Sequence, residues 1–490
     1  MNEEKKSIKV NAALNGFRTI LNVLFPLITF PYISHVLSVD EIGKYNFSDS
    51  IVSYFLLIAA LGINQYAIRE GSKYRNNRKA LSNFASKVFT VNVVSTIISY
   101  ALLFILMRLS DTLQAYRYCI LILSIQIFFA TIGTEWIYSI FEEFGYITVR
   151  SIVFKIISIA LLFIFVKNEG DYLKYAFIVV FAIAGSNILN YFNAKKYIDL
   201  KIVFKFDWKQ IIVPVFIIFA SNVAIQIYVS SDITMLGYIK SDYNVGIYSV
   251  SAKIYTVIKN VLTAVLTVAI PRFSYYAGKG LKDEYNHLLK KVINTLFVIA
   301  IPAVVGLILL SYNVVYIIAG EQYVPAQMSL CILCIAIIFA VFNGLLNQSV
   351  LLAYGREKIS LYCTIISAAT NIGLNFIMIP LWAENGAAIT VVISELILFL
   401  LLFYKSRDLV KSSFFNVSTF KNIMSVLAGI LGIILWCKIV ENLVTNISAR
   451  TVISVIGSAI LYSFILLLTK NKILIEIISG LKSKLKRNQT

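Results

Sequence analysis

Mainly apolar stretches of about 20 residues, parted by short polar and basic segments, follow one another along almost the whole chain. A stretch of that length crosses a bilayer as a helix, because hydrocarbon offers no water and each backbone polar group must be bonded within its own segment. The pattern predicts about fourteen spans, approximately over residues 10–36, 43–66, 84–107, 116–140, 147–166, 172–193, 211–236, 246–270, 289–311, 327–353, 359–380, 386–404, 422–441 and 450–469. The expected fold class is an all-α polytopic membrane protein. The first span follows a basic stretch, residues 1–10, and lacks a small-residue cleavage site, so it is expected to remain as a signal-anchor helix.

Several spans carry polar residues at helical spacing. Asn11, Asn15, Arg18 and Asn22 form one stripe on the first span. Ser151, Lys155 and Ser158 do so on the fifth, Asn222, Gln226 and Ser230 on the seventh, and Lys253, Thr256, Asn260, Thr263 and Thr267 on the eighth. Ser360, Thr364, Ser367, Asn371 and Asn375 mark the eleventh. Such stripes either line a watery cavity or glue helices together through hydrogen bonds of roughly 0.6–2 kcal/mol each. Spacing alone leaves both readings open. The cavity reading takes Asn15, Asn22, Asn222, Gln226, Thr256, Asn260 and Asn371 as polar lining.

Four cations fall inside apolar spans: Arg18, Lys155, Lys253 and Lys259. At about 2.5–3.5 kcal/mol each near mid-membrane they cost roughly 10–14 kcal/mol together, comparable with the stability of a whole domain. They must face water or a counter-charge, and a cationic lining in hydrocarbon implies an anionic cargo. These four are the candidate substrate-binding residues, although Lys155, two turns from the end of its span, can also snorkel to the interface. Asp232, Glu135 and Glu395 are the candidate ion-pair partners or carriers of coupling charge. His35 is either a pH-sensitive group or a loop-edge residue. Pro26 and Pro31 are expected to kink the first span, and Pro214 the seventh.

Composition removes other classes. Hydrophobic residues make up 59% and charged residues 14%, with a mean hydropathy of +0.80, far from the values of a soluble domain. The formal net charge of +19 would point to nucleic acid in a soluble chain. Here Lys and Arg sit in the short segments between spans, where they set orientation, so no nucleic-acid partner is expected. The side of the termini carries 32 of them against 8 opposite, which predicts cytoplasmic termini. Trp208, Trp382 and Trp136 fall near span ends, as an interfacial aromatic belt requires. The cysteines are scattered, and Cys331 and Cys334 form a CxxC inside a span without His partners, so neither metal nor cofactor is expected. Loops no longer than about 20 residues leave no room for a soluble catalytic domain, which argues against an enzyme and assigns no catalytic residue. The tail over residues 472–486 reads as a basic interfacial helix or a solvated tail.

The chain also resembles itself. Residues 42–51 and 245–254 share Gly, Tyr, Ser and a final Ile at an offset of 203; Phe144-Gly145 recurs as Tyr354-Gly355, and downstream Ser151, Lys155 and Ser158 correspond to Ser360, Thr364 and Ser367 at an offset of 209. Repeats in transporters place the cargo site at their interface. The expected organisation is an N-lobe over 1–194, a cytoplasmic linker over 195–209, a C-lobe over 210–405, two further helices over 406–470 and a basic tail over 471–490.

Residues 26–34, Ile42-Gly43-Lys44-Tyr45, residues 51–55, and Leu61-Gly62-Ile63-Asn64 with Arg69-Glu70 resemble the opening of Wzx-type polysaccharide flippases. Residues 232–237, 371–380 and 385–390, followed by Ile393-Ser394-Glu395, extend the resemblance through the twelfth span. It implies a MATE-like member of the multidrug/oligosaccharidyl-lipid/polysaccharide (MOP) exporter superfamily in a bacterial inner membrane. Such a protein moves undecaprenyl-pyrophosphate-linked oligosaccharides, of O-antigen or capsule type, between leaflets by alternating access driven by an ion or proton gradient. The implied partners are the lipid-linked glycan, the bilayer, and the polymerase and chain-length regulator of the same pathway. The rival expectations are a drug or metabolite exporter of the same fold and, in another class, a membrane polymerase or lipid-sugar transferase.

Overall fold

In the computed structural model the chain is described for Phe25, residues 28–476, Ile478 and Ser479. Asn11, Asn15, Arg18, Asn22 and Pro26 lie outside the described residues, as do Leu481 and Leu485 of the tail. The described residues form helices and turns, with no strand among them.

The first compact unit is Met1–Gly246. It holds α1 (residues 28–36), α2 (Val39–Ala60), α3 (Ile63–Gly71), α4 (Arg78–Leu109), α5 (Asp111–Ala115), α6 (Arg117–Gly133), α7 (Glu135–Ile140), α8 (Phe144–Phe165), α9 (Tyr172–Ala194) and α10 (Lys209–Ile239). Helix α11 (Asp242–Lys279) starts in this unit and runs on into the second, Ile247–Thr490. There follow α12 (Lys282–Leu309), α13 (Ser311–Ala319), α14 (Ala326–Gly344), α15 (Glu357–Lys405), α16 (Arg407–Phe414), α17 (Val417–Leu443) and α18 (Ile447–Leu468).

Short polar side chains start these helices. Asn77, Asn416 and Asn446 sit in extended backbone, and their side-chain oxygens accept from the N–H groups of Ala80, Thr419 and Ala449, each at 3.0 Å. Helix α2 ends where Leu61 and Gly62 turn left-handed, with φ of 46° and 74°. The carbonyl of Ala59, left without a helical partner at this end, accepts from Asn92 Nδ2 at 2.8 Å and Ser95 Oγ at 2.6 Å, both on α4.

Helix α2 is central in the first unit and packs on α4, α6 and α10. In the second unit α14 packs on α15 and α12, and α17 packs on both α12 and α18. Val298 of α12 joins Val426, Ile430, Ile433, Tyr462 and Leu466 in one apolar cluster, and the Tyr462 hydroxyl donates to the Val298 carbonyl at 2.7 Å.

Among the described residues 11 helices are long and apolar enough to cross a membrane, or up to 12 if a bent pair in α11, with a 49° break between Ala264 and Ala269, counts as one span. The protein is a multi-pass membrane protein, but this count does not confirm fourteen. Part of the difference is a merged element. Helix α15 contains non-helical backbone at Trp382 (φ −130°) and Ala383 (φ 46°), so the spans expected over 359–380 and 386–404 lie on either side of a reversal. Ser367 Oγ donates to the Ser394 carbonyl, and Asn371 lies within hydrogen-bonding distance of Thr390. Those separations shrink toward the break, as in an antiparallel helical hairpin.

Candidate functional site

In the first unit the polar stripe of α10 meets hydroxyls of α2. Gln226 Nε2 donates to Ser53 Oγ at 2.8 Å and to Ser230 Oγ at 2.7 Å. Thr234 Oγ1 donates to Ser50 Oγ at 3.0 Å and lies 3.3 Å from the Tyr54 hydroxyl. Such bonds fix α10 on α2 without exposing backbone to hydrocarbon. Asn222 is half-buried on the same helix, and Asp232 is buried.

Lys155 is half-buried on α8, its Nζ 5.4 Å from the ring centroid of Phe25, a distance at which the ring face attracts the cation. Glu135 is half-buried at the start of α7. His35 is exposed, with Nδ1 2.6 Å from the Pro31 carbonyl. Two charges outside the sequence-derived set stand in this unit. Arg150, inside the expected span 147–166 but not among the candidate cations, is 6% exposed on α8, with its guanidinium carbon 5.9 Å from the Tyr146 ring centroid. Its signal is its place near the start of that span. Asp49 is half-buried on α2, and its charge acts on Tyr45, Tyr175 and Cys119, which lie on three different helices.

In the second unit two candidates, Glu395 and Lys259, come together through Tyr255. Glu395 is 4% exposed. Its Oε2 accepts from Asn343 Nδ2 at 2.6 Å and its Oε1 from the Tyr255 hydroxyl at 3.2 Å. Asn343 Nδ2 also reaches the Glu395 carbonyl at 2.9 Å. Lys259 Nζ stands 4.9 Å from the centroid of the Tyr255 ring. Tyr255 thus joins a cation on its face to a carboxylate at its hydroxyl. Asn343 is followed within two residues by a π-helical segment, Leu345–Leu351, a widened turn that often accompanies function. The arrangement can hold a negative charge in a dry setting, exchange a proton, or present Lys259 to an anion.

Lys253 is half-buried on α11, and Thr256 and Asn260 are exposed. Thr263 and Thr267 turn their hydroxyls back to the carbonyls of Lys259 and Ala264, at 2.9 and 2.7 Å. Asn371, by contrast, is 1% exposed, and its amide lies 3.5 Å from both Thr390 Oγ1 and Ser394 Oγ. Asn375 Nδ2 donates to Asn371 Oδ1 at 3.3 Å, so this stripe faces the returning half of the α15 hairpin. Among the described residues no cluster of His, Cys, Asp and Glu has the makings of a metal site.

The family model described as "Polysaccharide biosynthesis protein" matches residues 8–277, and the MatE model matches residues 218–377. A putative O-antigen transporter of Escherichia coli (strain K12) is 23% identical over 84% of this chain and 99% of its own length. Among solved structures, lipid II flippase MurJ in an inward closed conformation superposes with a TM-score of 0.72 at 17% identity, over 93% of this chain and 98% of that one. An inward-facing multidrug resistance MATE family transporter of the MOP superfamily gives a TM-score of 0.52 at 14% identity, over 80% and 98% of the two chains. With more than half of its length matched by that first model, the chain is a member of the polysaccharide biosynthesis protein family.

Proposed function

We propose that the protein is a flippase for lipid-linked oligosaccharides. Its kin by sequence and fold are transporters and a flippase, and the chain is a transporter and not a catalyst. The cargo is an undecaprenyl-pyrophosphate-linked repeat unit of O-antigen or capsule type, moved outward across a bacterial inner membrane by alternating access. The observation that carries this reading is the set of cations held inside apolar helices, Lys155, Lys253 and Lys259, with Arg150 buried beside Tyr146. A pyrophosphate is a dense anion, and desolvated Lys and Arg bind it through charge-assisted hydrogen bonds. Arg18 belongs to the same proposed set. Asp232, Glu135 and Glu395 are the groups proposed to pair with these cations or to carry coupling charge.

The test is translocation of the lipid-linked repeat unit in proteoliposomes, with and without a proton gradient. Movement of the glycan lipid that depends on the protein supports the reading, and an absence of movement under every gradient sinks it. The MatE match over residues 218–377 favours a second reading, a MATE-like drug or metabolite exporter. Transport of such a compound without glycan movement would select it.

A further inference from the structure

An extended segment, residues 199–208, joins α9 to α10 in the first unit. Hydroxyls spaced one turn apart on α4 take up its alternate backbone N–H groups. Asp199 N donates to Ser82 Oγ at 3.0 Å, Lys201 N to Ser86 Oγ at 3.1 Å and Val203 N to Thr90 Oγ1 at 2.9 Å. The two periods nearly coincide, since four helical residues advance about 6 Å and two extended residues about 6.6 Å. Arg78 adds an ion pair to Asp199 at 3.2 Å.

Where this ribbon meets α10 it closes a cavity of 390 Å³ whose other walls are α3, the Tyr74 turn and the start of α4. That volume suits a small ligand or headgroup, which occupies pockets of roughly 300–1,000 Å³. Phe84 lines it, with its ring centroid 6.1 Å from that of Tyr66 and 5.6 Å from that of Tyr74. Lys87, Asp207 and Glu70 line the cavity, and Glu70 is already paired with Arg69 and Lys73. Aromatic faces, the Asp207 carboxylate and the Lys87 ammonium in one cavity complement a zwitterion.

The location points to lipid. The walls are the ends of three spans, Val39–Tyr74, Arg78–Leu109 and Lys209–Ile239. On the ribbon Ile202 and Phe204 are 56% and 65% exposed between Lys201 and Lys205. Exposed apolar side chains interleaved with lysines suit a segment lying at headgroup depth.

We propose that this cavity binds the headgroup of an aminophospholipid, its phosphate on Lys87 and its ammonium on Asp207 against the aromatic rings, and that the bound lipid holds the ribbon on α4. A primary ammonium donates hydrogen bonds to a carboxylate, which a choline group cannot. Native mass spectrometry of the full chain with phosphatidylethanolamine, phosphatidylcholine, phosphatidylglycerol and free phosphoethanolamine tests it. Phosphatidylethanolamine should be retained about tenfold better than the other two lipids. Lys87→Met and Tyr74→Ala should each abolish that preference and Lys87→Arg should keep it. Thr90→Val, which touches the ribbon but not the cavity, should lower it. Equal retention of all three lipids, or an unchanged preference in both Lys87→Met and Tyr74→Ala, would overturn the site. An unchanged preference in Thr90→Val would overturn the coupling to the ribbon, and free phosphoethanolamine bound as well as the lipid would overturn the lipid source.

Discussion

Gly43 and Gly246 occupy reciprocal positions: a Cβ on Gly43 would stand 1.9 Å from the carbonyl oxygen of Asp242, and one on Gly246 would stand 2.2 Å from that of Val39. Val39 and Asp242 are themselves separated by 203 residues, the offset of the internal repeat. The start of α2 and the start of α11 therefore press on each other through these two glycines.

That contact predicts a paired loss of stability. Gly43→Ala and Gly246→Ala each force a methyl into backbone and should cost about 1–3 kcal/mol or more. Gly373→Ala, with nothing within 4 Å of its Cβ position, should be neutral or slightly stabilising. Thermal unfolding midpoints of the purified variants decide the matter, and equal midpoints for all three would refute the close approach.

The Glu395 carboxylate depends on its donors. Asn343→Leu removes the 2.6 Å bond and leaves a buried charge with less support, at about 1–3 kcal/mol. Glu395→Gln should cost less, because the amide carbonyl still accepts. A double-mutant cycle should return a coupling energy of about 0.5–3 kcal/mol, whereas additive losses would count against the pair.

The cations should matter for transport more than for folding. Arg18→Ala and Lys253→Ala are expected to abolish glycan translocation at normal protein levels, and Lys253→Arg to retain it. Each lost charge-assisted bond is worth about 1.5–3 kcal/mol, a tenfold to hundredfold change. Wild-type translocation in both alanine variants would remove these residues from the cargo site.

A pH effect is expected at the first turn of α16. Asp408 takes both ends of the Arg356 guanidinium, at 3.1 and 2.7 Å. That hydrogen-bonded pairing holds the Asp408 carboxyl below its ordinary range. A depressed carboxyl stabilises the fold above its unfolded value of about 3.9 and loses that contribution as the pH falls through the folded value. Both side chains are partly exposed, at 33% and 51%, so the pair is worth no more than about 1 kcal/mol. Hydrogen exchange of the α16 amides should quicken on acidification from pH about 6 to 3, and Asp408→Asn should flatten that response. An identical response in the variant would dismiss the ion pair as its source.

What the sequence by itself determined is the class of structure. Hydrocarbon imposes one length and one backbone solution on every span, so apolar runs such as 84–107 and 450–469 announce α4 and α18, while the Asn77 and Asn446 caps that start those helices earlier came from the structure. The tertiary structure decided what each polar face meets. Helical spacing says that Ser367, Asn371 and Asn375 share a face, yet only the reversal at Ala383 turns that face toward Thr390 and Ser394. The partner of Glu395, Asn343, lies 52 residues away. Arg150, inside an expected span, became a buried cation through packing. Periodicity along one helix is a local property set by 3.6 residues per turn, whereas the neighbour of a face is set by loop reversals and packing that no window of sequence contains.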